Sequence, residues 1–262
     1  MIITIYLALG AVAGLLAGLL GVGGGLVIVP VLFLVFTHLG FDQSLLMHMA
    51  IATSLSTIVL TSLTSSYAHH RHGAVQWRDV WLLAPGMLLG AALGALVADE
   101  LSNTVLKHFF AVFEILVALQ VLLSLSPEGS NKTPGYGLVS IAGLITGGLS
   151  AILGSGGGTL TVPFLLWCGR SIRHAVATSA VCGFPIALSG SLFYILSGID
   201  EQQALPAHSV GYLYWPAFLS ISVSSLLFAP LGAKLAHSLP VATLKKTFAA
   251  LLFIIGVRLL LL

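Results

Sequence analysis

Charge is what this chain has least of. Lys and Arg number 10 and Asp and Glu 8 among 262 residues, 7% together, against about 25% in soluble globular domains. With 58% hydrophobic residues and a mean hydropathy of +1.08, a water-soluble globular domain is excluded. Basic residues are scattered and the net charge is only +2, so the clustered Lys and Arg of a nucleic-acid binder are missing. Only two cysteines occur, Cys168 and Cys182. They lack metal-ligand spacing and lie in or beside apolar segments, where a thiol packs as a small hydrophobe. The opening Met1-Ile-Ile-Thr-Ile-Tyr6 lacks the basic n-region and small-residue cleavage site of a secretory signal, so it is read as part of the fold.

Long apolar runs are what the chain has instead. Stretches near 3–36, 44–67, 79–98, 104–125, 136–168, 174–196, 209–233 and 243–262 are each long enough for a membrane-crossing helix of about 20 residues. They do not alternate in ten-residue units, which excludes barrel strands. The expected fold is an all-α polytopic membrane protein, one domain over 1–262.

Two of these stretches carry the same glycine pattern, 133 residues apart: Gly21-Val-Gly-Gly-Gly25 followed by Pro30, and Gly154-Ser-Gly-Gly-Gly158 followed by Pro163. Each glycine costs about 1 kcal/mol against alanine inside a helix. Backbone freed from helical hydrogen bonds is tolerated at membrane depth only where protein or a water-filled cavity satisfies it. A helix restarting after such a break aims its positive dipole end and unpaired N–H groups inward, which suits an anion. The prolines fit a helix restart or a kink near its first turns. Close helix packing is the alternative, and Gly14, Gly18 and Gly21 fit small-xxx-small spacing, but a consecutive triplet does not.

The halves match further along. Ala50-Ile-Ala-Thr-Ser54 answers Ala175-Val-Ala-Thr-Ser179, Leu106-Lys-His-Phe-Phe110 answers Leu244-Lys-Lys-Thr-Phe248, and Gly94 answers Gly232. The chain therefore divides into repeats 1–125 and 136–262 joined by a polar linker, 126–135. Loop charge sets their relative orientation, because Lys and Arg concentrate on the cytoplasmic side. If all eight segments cross once, Lys107, Arg170, Arg173, Lys234, Lys245 and Lys246 oppose Arg71, Arg78, Lys132 and Arg258. If each glycine-broken first segment dips in and returns, only Lys107 and Arg258 lie opposite the rest. The second arrangement separates charge better and makes the halves inverted repeats with both termini outside.

The candidate solute site comprises Gly23, Gly24, Gly25, Ser155, Gly156, Gly157 and Gly158, with the hydroxyl pairs Thr53-Ser54 and Thr178-Ser179 as neutral donors. Back-bonding to a helical carbonyl is the alternative for those four hydroxyls. Glu114, an ionisable group in mid-segment, is a candidate for proton coupling, against a purely structural hydrogen bond. Arg258, near the end of the last segment, fits snorkelling to the interface. The histidines of Met47-His-Met49 and His69-His-Arg-His72 lack nearby intramembrane carboxylates or fall in a loop, so no metal site and no cofactor are expected. Trp77, Trp81, Tyr212, Tyr214 and Trp215 flank segment ends as an aromatic belt.

Gly14 to Pro30 reads G-x-x-x-G-x-x-G-x-G-G-G-x-x-x-x-P and Ala50 to Ser54 reads A-x-A-T-S. Both recur in the second half, with Ala151 where the first copy has Gly18, and Arg71-x-Gly73-x-Val75-x-Trp77-Arg78 follows the second helix. This pattern resembles the TauE/SafE sulfite exporter family, also called the toluenesulfonate uptake permease family. The resemblance spans the whole chain. It implies a secondary transporter of sulfite, sulfoacetate or related small sulfur-containing anions, multi-pass in a bacterial cytoplasmic membrane and working without nucleotide. Partners would be that anion, protons as coupling ion and the lipid bilayer, with no nucleic acid; a homo-oligomer is left open. A passive anion channel is the rival, since glycine-lined paths and neutral donors also suit conduction. An intramembrane serine protease built on Ser155 with His174 as base would leave the duplicated motif unexplained.

Overall fold

The computed structural model describes residues 2–21, 24–123, 135–236 and 241–261. Gly23 and all but the last residue of the linker lie outside them. The first repeat supplies α1 (Ile2–Leu20), α2 (Gly25–His38), α3 (Leu46–Arg71), α4 (Trp77–Asp99) and α5 (Asn103–Leu122). The second supplies α6 (Tyr136–Ile152), α7 (Gly158–Trp167), α8 (Ile172–Ser197), α9 (Trp215–Ala236) and α10 (Val241–Leu261). The apolar stretches read from the sequence are helical apart from the start of the one at 209–233, and the two carrying the glycine motif are split at it. Capping serines open two of the helices: Ser102 Oγ accepts from the Val105 amide and Ser171 Oγ from that of His174, satisfying donors that a first turn leaves unpaired.

Among the described residues, α1, α3, α4, α5, α8 and α9 are long and apolar enough to cross a membrane. Their outer faces are apolar too: Leu89, Leu93 and Val97 of α4 and Val105, Val112 and Leu116 of α5 are exposed in rows. Water does not tolerate continuous patches of this kind on a monomer. The molecule is a multi-pass membrane protein.

Helices α3 and α8 pack against each other at the centre. On either side a pair of helices runs parallel, α1 beside α9 and α4 beside α6. Along α1, Gly10, Gly14 and Gly18 face the backbone at Ile221, Ser225 and Ala229, so that a Cβ on any of them would overlap main chain. Along α6, Gly143 and Gly147 face Leu83 and Met87. The two contacts share one register, since the repeat carries Gly10 onto Gly143, and it carries Leu83 onto Ile221. Without a hydrophobic drive between helices in lipid, this backbone approach is what holds them. Small-residue spacing is thus about packing in α1, while the triplets that follow do something else.

Contacts also fix which helix ends lie together. At one end, His69 Nε2 donates to the Gly18 carbonyl, His174 Nδ1 donates to that of Ala74, and Arg170 pairs with Asp79. At the other, the Met47 amide donates to Asn103 Oδ1, His48 Nε2 to the Ala98 carbonyl and the Tyr212 hydroxyl to Asp99. Helix α1 runs toward the first end and stops short of it, where the His69 side chain reaches back to Gly18, and α2 leads back to His38 beside Asn103 at the second. Helix α6 leaves the first end and α7 returns to it, with Val139 and Leu165 beside Asp79 and Arg170.

Two features differ from expectation. A hairpin of two short strands, β1 (Ser209–Val210) and β2 (Leu213–Tyr214), interrupts the stretch before α9. It draws Tyr212 and Tyr214 out of the aromatic belt. Tyr212 is buried against His48 and Tyr194 and bonds Asp99, and Tyr214 packs on Phe36 and Phe41. Trp77, Trp81 and Trp215 remain exposed.

Candidate functional site

Each glycine break is a tight reversal that only glycine accepts comfortably. Gly24 and Gly157 cap α2 and α7 with φ of 75° and 77°, a left-handed conformation that costs residues with a Cβ about 1–2 kcal/mol. A Cβ on Gly24 would also lie 2.7 Å from the Ala13 carbonyl oxygen, and one on Gly157 would lie 2.5 Å from Ile186 Cδ1.

The two breaks meet. Gly25 lies directly against the Gly154 carbonyl and the Ser155 backbone. The hydroxyl pairs hold this meeting from both sides: Ser54 Oγ donates to the Gly154 carbonyl at 2.8 Å, and Ser179 Oγ donates to the Gly21 carbonyl at 3.1 Å. The Tyr214 amide donates to Thr53 Oγ1 at 3.2 Å, and the Gln76 amide to Thr178 Oγ1 at 3.0 Å. Under the repeat, each bond maps onto its partner with the halves exchanged. These four side chains are therefore neither back-bonded nor idle; each ties its own half to the other. Carbonyls that the broken helices leave unpaired gain their partners this way. Where the protein is in this conformation, the Ser54 and Ser179 protons are committed.

Between the breaks is a cavity of about 10 Å³ lined by Gly21, Gly156, Gly183, Ser62 and Ser65, room for about one water. Of the glycines and serines singled out in the sequence, Gly21 and Gly156 line this cavity, Gly25 meets Gly154 and Ser155, and Ser54 and Ser179 bond across the two breaks. Gly24 and Gly157 cap the helices that start there, Gly158 being the first residue of α7. Three hydroxyls that the sequence analysis passed over lie at the second break: Ser150, Thr159 and Thr161. Like Ser155, they are buried without a hydrogen-bond partner among the described residues, each costing about 1–3 kcal/mol if left so. Aligning the two repeats would have found them, because the first copy has Ala17, Leu26 and Ile28 there.

Glu114 stands apart from the breaks. It is fully buried in α5, and neither carboxylate oxygen has a partner among the described residues. The neighbouring helix is α10, whose Gly256 lies against Ala111 and Ile115.

The two ends differ. At the end of α2 and the start of α5 opens a cavity of about 1060 Å³, lined by His38, His48, Asp99, Glu100, Lys107 and Glu201 among others. The opposite end is held by a two-pronged ion pair, Arg170 Nε to Asp79 Oδ2 at 2.7 Å and Nη2 to Oδ1 at 2.9 Å. That hydrogen bonding raises the Arg170 pKa above its ordinary value. Such a fork fixes geometry as well as charge, and it joins the loop after α7 to the start of α4.

Compared with known proteins, residues 6–259 match the family described as sulfite exporter TauE/SafE. A "probable membrane transporter protein" of Haemophilus influenzae is 38% identical, over 98% of this chain and 97% of that one. One from Methanocaldococcus jannaschii is 25% identical over 100% and 96%, and YunE of Bacillus subtilis, also a probable membrane transporter protein, is 28% identical over 97% and 96%.

Proposed function

Because the chain belongs to the sulfite exporter TauE/SafE family of membrane transporters, we propose that it is a secondary transporter carrying sulfite, sulfoacetate or a related organosulfonate across the cytoplasmic membrane by alternating access. The observation that carries this reading is the meeting of the two glycine breaks, where each half contributes a serine that bonds the other half's free carbonyl. A site shared between two repeats is the arrangement that rocking one half against the other can expose to each side in turn.

In this mechanism the halves are inverted repeats. The exchange symmetry of the α1–α9 and α6–α4 contacts supports this, as does the return of α2 and α7 to the end from which their hairpins start. The first N–H groups of α2 and α7, from Gly24 and Gly25 and from Gly156, Gly157 and Gly158, face the solute oxygens. Thr53, Ser54, Thr178 and Ser179 complete the shell, and the Ser54 and Ser179 protons reach solute once the bonds across the interface open. Glu114 carries the coupling proton, supported by its burial without a partner, since an ionisable group at membrane depth marks a functional step. The Arg170–Asp79 pair closes one side while the large cavity opens the other.

The test is uptake of radiolabelled sulfite into proteoliposomes, with and without an imposed pH gradient, competed by sulfoacetate, sulfate and acetate. Gradient-driven accumulation blocked by sulfoacetate is the expected result. Uptake that saturates with no competitor, or that runs as a conductance indifferent to the proton gradient, would replace the coupled carrier with a channel.

A further inference from the structure

Resting on the transporter reading above, we infer that the solute's oxygens are held by the second glycine break rather than equally by both, through a cluster of neutral hydroxyls, and that this subsite takes a singly charged oxyanion. Ser150 and Ser155 are 0% exposed and Thr161 is 1% exposed, and none of their hydroxyls has a hydrogen-bond partner among the described residues. Ser150 Oγ and Thr161 Oγ1 lie 3.3 and 3.4 Å from the point where a Cβ on Gly157 would stand, with Ile186 Cδ1 nearer at 2.5 Å, so both hydroxyls border one face of the glycine that caps α7. The Ser155 amide donates to the Ser150 carbonyl at 2.9 Å, which holds the turn that brings these side chains to the helix start. Buried hydroxyls without partners are otherwise avoided. Here they gather where the N-terminus of α7 presents its positive dipole end.

The first break answers with none of this. Its positions at the same repeat offset are Ala17, Val22, Leu26 and Ile28. Gly21 and Gly24 take the same left-handed φ as Gly154 and Gly157, and the breaks exchange the same serine bonds, so this shared backbone geometry does not call for the hydroxyls. At these repeat positions the hydroxyls occur in one copy only, which is what a ligand subsite built on a duplicated scaffold requires; from the first half the cavity wall receives Ser65 of α3, likewise buried without a partner among the described residues.

The charge of the ligand follows from the donors. The small cavity between the breaks, reached from the second one at Gly156, is lined among the described residues by glycine, alanine, isoleucine and the α3 serines Ser62 and Ser65, with no Lys or Arg. Hydroxyls and one helix start offset a single negative charge, but a buried dianion without a cation carries a much larger desolvation penalty. Sulfonates, hydrogensulfite and carboxylates share the chemistry that fits; sulfate does not.

Ser150→Ala and Thr161→Val remove the hydroxyls while preserving volume, and Ile28→Val serves as the control at the first break. In proteoliposomes, each hydroxyl variant is expected to raise KM for radiolabelled sulfite about tenfold, as the loss of one made hydrogen bond predicts, with Ile28→Val changing it less than about twofold. Methanesulfonate or acetate should compete at least tenfold better than sulfate, and whichever of the two competes should do so less well in the variants. Wild-type KM in both hydroxyl variants, or sulfate competing as well as methanesulfonate, overturns the subsite. Binding is also read without transport, as the thermal stabilisation that methanesulfonate confers on protein in detergent. If wild type takes up no sulfite yet is stabilised by methanesulfonate, and Ser150→Ala and Thr161→Val lose that effect, the subsite stands and only the sulfite proposal fails.

Discussion

Gly24 and Gly157 occupy equivalent positions, but their surroundings predict different rescue behaviour. Gly157→Ala brings a methyl against the far end of Ile186, whereas Gly24→Ala brings one against the Ala13 carbonyl. Both should lose about 1–2 kcal/mol through the left-handed φ alone, read as a lowered melting temperature in detergent. Adding Ile186→Val should recover part of the loss at Gly157. No trimmed side chain should recover it at Gly24, since the obstacle is main chain. At Glu114, the change to Gln should abolish stimulation of uptake by a pH gradient while sparing solute exchange between two loaded sides, measured as counterflow of radiolabelled sulfite. The glycines were legible as residues because consecutive helix breakers in an apolar run have few explanations. The roles of Ser54 and Ser179 were not, because their acceptors lie 100 and 158 residues away.

Among the elements, the apolar helices were readable from length and hydropathy, and the breaks from glycine. What a helix packs against was not. The spacing of Gly14 and Gly18 marks one face of α1 as close-packed, but that the face meets α9 depends on how α3 and α8 fill the centre. The pair between α7 and α4 is similar: Arg170 and Asp79 carry no local signal, being 91 residues apart. If this pair holds one side closed, Arg170→Gln should loosen it. With Cys168 replaced by Ser, the fully buried Cys182 of α8 should then react with a membrane-permeant maleimide several times faster than in the otherwise identical parent. An unchanged rate would mean that the pair does not restrain that side.

At the scale of the whole molecule, charge is divided between the ends. Arg71, Arg78, Arg170 and Arg173 lie at the end where α3 finishes and α8 begins; Asp99, Glu100, Asp200 and Glu201 lie at the other. From the positive-inside tendency we propose that the first faces the cytoplasm. A cysteine at Thr37, exposed near the end of α2, in a protein carrying Cys168→Ser and Cys182→Ala, should be labelled by an impermeant maleimide from outside intact cells. Labelling only after the inner face is exposed would reverse this orientation. The sequence by itself determined that the chain lives in a bilayer, how many apolar stretches it has, where two of them break and which motifs occur in both halves. Those properties are written in composition and in spacing along one dimension, where a helix needs only its own neighbours for its hydrogen bonds. Tertiary structure alone decided that the breaks touch, that each serine serves the opposite half, that Arg170 pairs with Asp79, and that Ser150 and Thr161 both flank Gly157. The first three are contacts between residues far apart in the chain, and their existence depends on which helix faces close-pack, a choice made by the shapes of all the helices together.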